Sequence, residues 1–143
     1  MKKFVLIFTA ALVASILNAA DFPAGSPKFS TSHDTVTQAA KENGKPALIV
    51  FSASWCGPCQ EMKKNVYPSA EVKPFHDKFN WAYLDIDVPA NQKVFEGLKL
   101  ESVPYILFMD ASGKKLDVQD GGVETSKEFV AKLEGVLKKA SAH

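Results

Sequence analysis

The apolar run Ala47-Leu48-Ile49-Val50-Phe51 is separated only by Ser52-Ala53-Ser54-Trp55 from Cys56-Gly57-Pro58-Cys59, and this junction constrains the fold more than any other stretch. A strand that is apolar at every position has no face for water, so it belongs in the middle of a sheet covered by helices on both sides. From Pro58 to Val66 the residues favour helix, and a proline in the first turn costs no backbone hydrogen bond. The strand therefore runs directly into a helix, with Cys56 at its mouth and Cys59 one turn along, facing inward. The unpaired N–H groups of a helix start favour a thiolate, so Cys56 is expected to ionise below the ordinary thiol value of about 8.5. Cys59 is then the less acidic, resolving thiol, able to attack a mixed disulfide on Cys56.

Two cysteines allow one intramolecular bridge. A bridge between positions three apart closes so small a loop that it restrains little of the unfolded chain, which makes a structural staple an inefficient use of this spacing. A zinc site would need two further ligands, and His33, His76 and His143 are far apart and without paired spacing. They read as solvated surface residues. A redox pair is the better reading.

The first twenty residues combine Lys2 and Lys3 with an apolar run from Phe4 to Leu17 and end in Ala19-Ala20. This is the pattern of a secretory leader cleaved near Ala20, and the run is short for a membrane span. Residues 1–20 are therefore expected to be a signal peptide, residues 21–33 an extended lead-in, and residues 34–143 one domain. Export would place the cysteines in an oxidising compartment, periplasmic or extracellular.

Two of the 17 Lys lie in the leader, leaving fifteen against 16 acidic residues, a formal charge of −1 for the remaining 123 residues, and the chain has no Arg. Without the residue best suited to bidentate contact with phosphate or guanine, nucleic acid is a poor partner. No nucleotide or metal cofactor is implied, and a monomer is expected.

Along the domain, Ser32 caps a helix over 34–42 that stops at Gly44, and an edge strand is expected around Phe29. Pro68 breaks the helix begun at Pro58. Ser69 caps a second helical stretch toward Phe79, with Pro74 disturbing its early turns. A strand covers 81–86 and a short helix 91–97. A strand over 103–109 turns at Asp110 to Gly113 into an alternating strand through Leu116 and Val118, an antiparallel hairpin. Thr125 and Glu128 have capping-box spacing ahead of a last helix that buries Phe129, Leu133, Val136 and Leu137. The order predicts an α/β fold with a mixed sheet and helices on both faces. Phe51, Phe75, Phe79, Phe108 and Phe129 are assigned to its core.

Trp55-Cys56-Gly57-Pro58-Cys59 resembles, residue for residue, the active-site motif of the thioredoxin superfamily, and the resemblance extends over about residues 34 to 139. Within the family it resembles exported members such as the C-terminal domain of the disulfide-interchange transmembrane reductase. The resemblance implies that Val103-Pro104 is the cis-proline site, where the backbone of Val103 pairs with an extended substrate. It implies also that Gly121 or Gly122 keeps the approach to the dithiol open, and that Trp55 covers the dithiol and contacts partners. The chain departs from the family at Val50, where thioredoxins proper carry a buried Asp that helps deprotonate the inner cysteine, and at Tyr83, which matches the Lys often paired with it. Glu61, two residues past Cys59, need not face that thiol.

The function implied is reduction of disulfides in exported proteins, with the pair recharged by a membrane electron donor. Gly-Pro between the cysteines resembles the reducing members, whereas strongly oxidising ones commonly enclose Pro-His. A disulfide oxidase or isomerase is the alternative of the same chemistry. A docking module in which the dithiol is incidental is the alternative of another class. A peroxide-consuming enzyme would want Thr or Arg beside Cys56, and neither is there.

Overall fold

A computed structural model describes residues 21–142. The leader and its cut near Ala20 lie outside the described residues. Helix α1, His33–Asn43, starts where the Ser32 hydroxyl accepts from the Thr35 N–H and stops at Gly44, whose φ of 74° suits a residue without Cβ. Strand β1, Ala47–Ser52, follows, buried at every residue. It lies between the parallel strand β2, Asn80–Asp85, and the antiparallel strand β3, Tyr105–Met109, and β3 pairs antiparallel with β4, Lys115–Asp120. The four strands thus form the expected mixed sheet in the order β2-β1-β3-β4. Helices α2, Gly57–Glu61, α3, Pro89–Gly97, and α4, Ser126–Ser141, complete the frame. The capping box between Thr125 and Glu128 is formed in both directions.

Alternation along β1 divides the core. Leu48 and Val50 face Met62, Val66 and Tyr67 beyond α2 and Phe129, Leu133 and Val136 of α4. Ala47, Ile49 and Phe51 face Val36 and Ala40 of α1 and Phe95 of α3. All five phenylalanines assigned to the core are buried.

Three elements differ from the sequence reading. The helix expected over 58–66 is α only to Glu61 and then a π-helical turn, Met62–Val66, closed by the Tyr67 N–H on the Met62 carbonyl at 3.0 Å. That wider turn lets Val66 and Tyr67, adjacent in sequence, both face the core. The stretch after Ser69 is a 3-10 turn, Lys73–Lys78, with Pro74, which has no N–H to give, in its first turn. The strand expected from Val103 begins at Tyr105, because Pro104 cannot donate to the ladder.

The lead-in is packed rather than loose. Ser30 makes a parallel bridge with Ala82, donating to the Trp81 carbonyl at 2.9 Å and accepting from the Tyr83 N–H at 2.8 Å. It places Phe29 against Tyr67, Trp81 and Tyr83, and Phe22 against Phe29 and Tyr83. His76 is also more engaged than a solvated histidine: a ring nitrogen lies 2.9 Å from the Tyr67 carbonyl, and the ring meets Trp81 edge-on.

Candidate active site

Strand β1 ends at Ser52, and after Ala53 the chain turns outward through Trp55 into α2. Cys56 is the N-cap of that helix, in extended conformation, and its sulfur accepts from the Cys59 N–H at 3.2 Å. Further hydrogen bonds hold the turn: the Cys56 N–H to the Ala53 carbonyl at 3.2 Å, and the Gln60 side-chain amide to the same carbonyl at 2.9 Å. The cysteines are joined in a disulfide, with Cα atoms 5.3 Å apart. Cys56 is 6% exposed and Cys59 1%. An incoming thiolate therefore meets Cys56 first, and the N–H aimed at the Cys56 sulfur favours negative charge there once the bond is broken.

The other residues singled out from the sequence surround this pair. Trp55 is 67% exposed, so it is not part of the core, and its indole N–H is 3.4 Å from Asp87. Gly57 and Pro58 are exposed on the first turn of α2. The Val103–Pro104 peptide bond is cis, Val103 packs beside Ala53, Cys56 and Cys59, and the Pro104 carbonyl accepts from the Gly121 N–H at 2.9 Å. At Gly122 a Cβ would sit 3.4 Å from the Pro58 Cβ and 3.9 Å from the Pro104 Cγ, so this glycine lies between the helix turn and the cis-proline loop.

Glu61 is exposed, and its carboxylate accepts from the Asn65 side-chain amide one turn along. Val50 is buried, paired in register with Tyr83. The polar group near the junction is one the sequence reading did not single out: Ser52, fully buried, whose hydroxyl is 2.6 Å from the Tyr83 hydroxyl. Burial pushes the Tyr83 phenol above its ordinary value, and Asp85 adds to the rise, while Ser52 and Gln60 act the other way. The signal for Ser52 was its place in β1, two residues after Val50 and so on the same face as α2. Among the described residues, no group of three or more His, Cys, Asp or Glu could hold a metal ion, and no helix is long and apolar enough to cross a membrane.

Residues 34–137 match the family model of a thioredoxin-like domain. The chain is 28% identical over 95 residues to the chloroplastic thioredoxin-like protein HCF164 of Oryza sativa subsp. japonica, covering 66% of this chain and 36% of that protein. It is 29% identical over 113 residues to the thiol:disulfide interchange protein DsbD of Ralstonia nicotianae, covering 76% of this chain and 18% of that one. The chain thus spans well under half the length of these relatives. Its fold matches that of the DsbD C-terminal domain of Neisseria meningitidis in the oxidised form, with a TM-score of 0.62 at 24% identity over 71% of this chain and 89% of that one.

Proposed function

The chain belongs to the thioredoxin-like family, and on that premise we propose that it reduces disulfides of proteins outside the cytoplasm. Thiol–disulfide exchange is the chemistry of its Cys56–Cys59 pair, and the protein is an oxidoreductase. The observation that carries the reading is the position of that disulfide: at a strand-to-helix junction, with Cys56 the more exposed cysteine, beside exposed Trp55 and the cis-Pro104 loop.

In the reducing cycle, the Cys56 thiolate attacks one sulfur of a substrate disulfide, forms a mixed disulfide and expels the other sulfur as a thiolate that takes a proton from water. The Cys59 thiolate then attacks the Cys56 sulfur. The internal disulfide closes, the second substrate thiolate leaves, and two electrons have passed from the dithiol to the substrate. Trp55, Gly57, Pro58, Val103, Pro104 and Gly122 form the surface on which an extended substrate segment lies, with the Val103 backbone as its hydrogen-bonding partner. A membrane protein carrying reducing equivalents returns the pair to the dithiol.

Residues 1–20 serve as the export signal, residues 21–33 as the lead-in and residues 34–143 as the domain, which acts as a monomer in the periplasm or beyond it. The relative named as chloroplastic supports a location outside the cytoplasm.

The equilibrium reduction potential of the Cys56–Cys59 pair, measured against glutathione and dithiothreitol buffers, tests the direction. A value at or below about −230 mV is expected of a reductant; one near about −120 mV would make the protein an oxidant of exported proteins.

A further inference from the structure

Only two polar residues other than cysteine and tyrosine are buried among the described residues, Ser52 and Asn91. Asn91 is accounted for by its side-chain bond to the Asp85 carbonyl at the start of α3. Ser52 is different, because its partner is a second hydroxyl brought from the neighbouring strand. A buried hydroxyl pair is retained only where both members are satisfied, and an apolar pair of similar shape would pack there without that requirement.

The Tyr83 ring is held on several sides. Phe22 meets it edge-on at 5.2 Å, Phe29 at 5.5 Å, and the Lys63 ammonium lies 5.4 Å over its face. A ring so enclosed has little rotamer freedom, and its hydroxyl is delivered to one point, 2.6 Å from the hydroxyl of the residue that ends β1. The Gln60 side chain bonds the carbonyl of Ala53, the residue after Ser52, and Gln60 is the neighbour of Cys59 on α2. The junction is thereby tied at Ser52 to a side chain from β2 and at Ala53 to α2.

We propose that Tyr83 is a positioning residue for disulfide exchange: through its bond to Ser52 it fixes the strand-to-helix junction so that Cys59 is aimed at the Cys56 sulfur. The step it serves is closure of the internal disulfide, in which the S–S bond between Cys56 and the substrate breaks as the Cys59 sulfur bonds to Cys56. Tyr83 takes no proton and touches no reacting atom. Intramolecular closure depends steeply on orientation, so small freedom at the junction is read directly in its rate. The proposal rests on the exchange function given above and names how the resolving step is held in place.

The experiment is a stopped-flow measurement on the full chain. The dithiol is mixed with excess oxidised glutathione, and the Cys56–glutathione mixed disulfide and its closure by Cys59 are followed by acid quench, with urea unfolding run alongside. Tyr83→Phe and Ser52→Ala are each expected to slow closure about tenfold, on the steep dependence of such steps on orientation, while attack by Cys56 on glutathione changes less than twofold. The double variant S52A/Y83F leaves neither hydroxyl buried alone, so it should regain most of the lost stability while closure stays slow. Closure at the wild-type rate in the variants, or closure that recovers with stability in the double variant, would overturn the proposal and leave the pair a packing feature. If the wild-type chain forms the mixed disulfide and never closes it, the exchange function itself fails, an outcome separate from either.

Discussion

The two faces of the sheet are filled by different chemistry. The face toward α1 and α3 is mainly aliphatic: Val36, Ala40, Ile49, Leu84, Leu107 and Met109, with Phe51 and Phe95 as its aromatic pair. The face toward α2 and α4 holds Tyr67, Phe75, Phe79, Trp81, Tyr83, Phe108 and Phe129, with Phe22 and Phe29 of the lead-in against them. Aliphatic side chains are held by shape alone. Rings with polar tips also transmit orientation, since a hydroxyl or indole N–H must meet its partner. The Trp81 indole N–H donates to the His76 carbonyl, and the Tyr67 hydroxyl reaches the Met62 sulfur. The aliphatic face therefore supplies stability, whereas the aromatic face supplies stability and also aims the dithiol.

The largest effect that separates the faces is expected at Ile49, fully buried in the middle of β1 and turned toward α1 and α3. Ile49→Ala should lower the unfolding free energy by about 2–5 kcal/mol, from lost burial and the cavity left behind. Disulfide closure in the molecules that remain folded should keep the wild-type rate. Urea titration and the glutathione quench check the two halves, and a closure rate that falls in step with stability would erase the distinction.

A smaller change on the opposite face sharpens it. Phe22 is half-buried, so Phe22→Ala should cost only about 1–2 kcal/mol, a fraction of the burial of a whole ring. Phe22 nonetheless lies against the Tyr83 ring, and Lys63 sits 4.6 Å over it. Closure is expected to slow several-fold although the residue is far from the disulfide in sequence. An unchanged rate would confine the lead-in to covering the β2 edge.

How much of this was legible in the sequence follows from where each signal resides. The strand–turn–helix junction is local: the apolar run and Pro58 dictate it without knowledge of the rest of the chain, and the mixed sheet, the burial of β1 on both faces and the α4 capping box were accessible from pattern alone, whereas the order of strands in the sheet was not. The Ser52–Tyr83 pair joins residues 31 positions apart. Register between β1 and β2 creates it, and a serine at the end of an apolar strand carries no mark of its partner. The π-turn was hidden for a related reason, since Met62 to Tyr67 reads as ordinary helix until the core requires Val66 and Tyr67 to share a face. The lead-in reads as an extended stretch with an edge strand near Phe29 because Pro, Gly, Ser and Thr dominate it, and the places of Phe22 and Phe29 are found only on a folded aromatic face.

The smallest effect belongs to the rim of the α2–α4 face, at Asp117 of β4. Its carboxylate bonds Lys139 at 2.7 Å and Lys132 at 3.1 Å, both from α4. Partial burial by itself raises its pKa, but the hydrogen bonds from Lys139, Lys132 and the Val118 N–H outweigh that and bring it down to about 2. A folded-state value below the unfolded one means that the stabilisation is complete above the ordinary carboxylate range and is lost as the pH falls from about 4 toward about 2. Both lysines reach solvent, so screening limits the pair to about 1 kcal/mol or less. Asp117→Asn should therefore lower stability slightly at pH 7, and the gap between variant and wild type should narrow below pH 4 and vanish near pH 2. Closure of the disulfide should be unaffected, because the lysine pair fastens α4 to the edge strand and touches neither Tyr83 nor α2. A slowed closure in Asp117→Asn would mean that orientation is transmitted across the whole face through α4, and that Tyr83 is one contact among many.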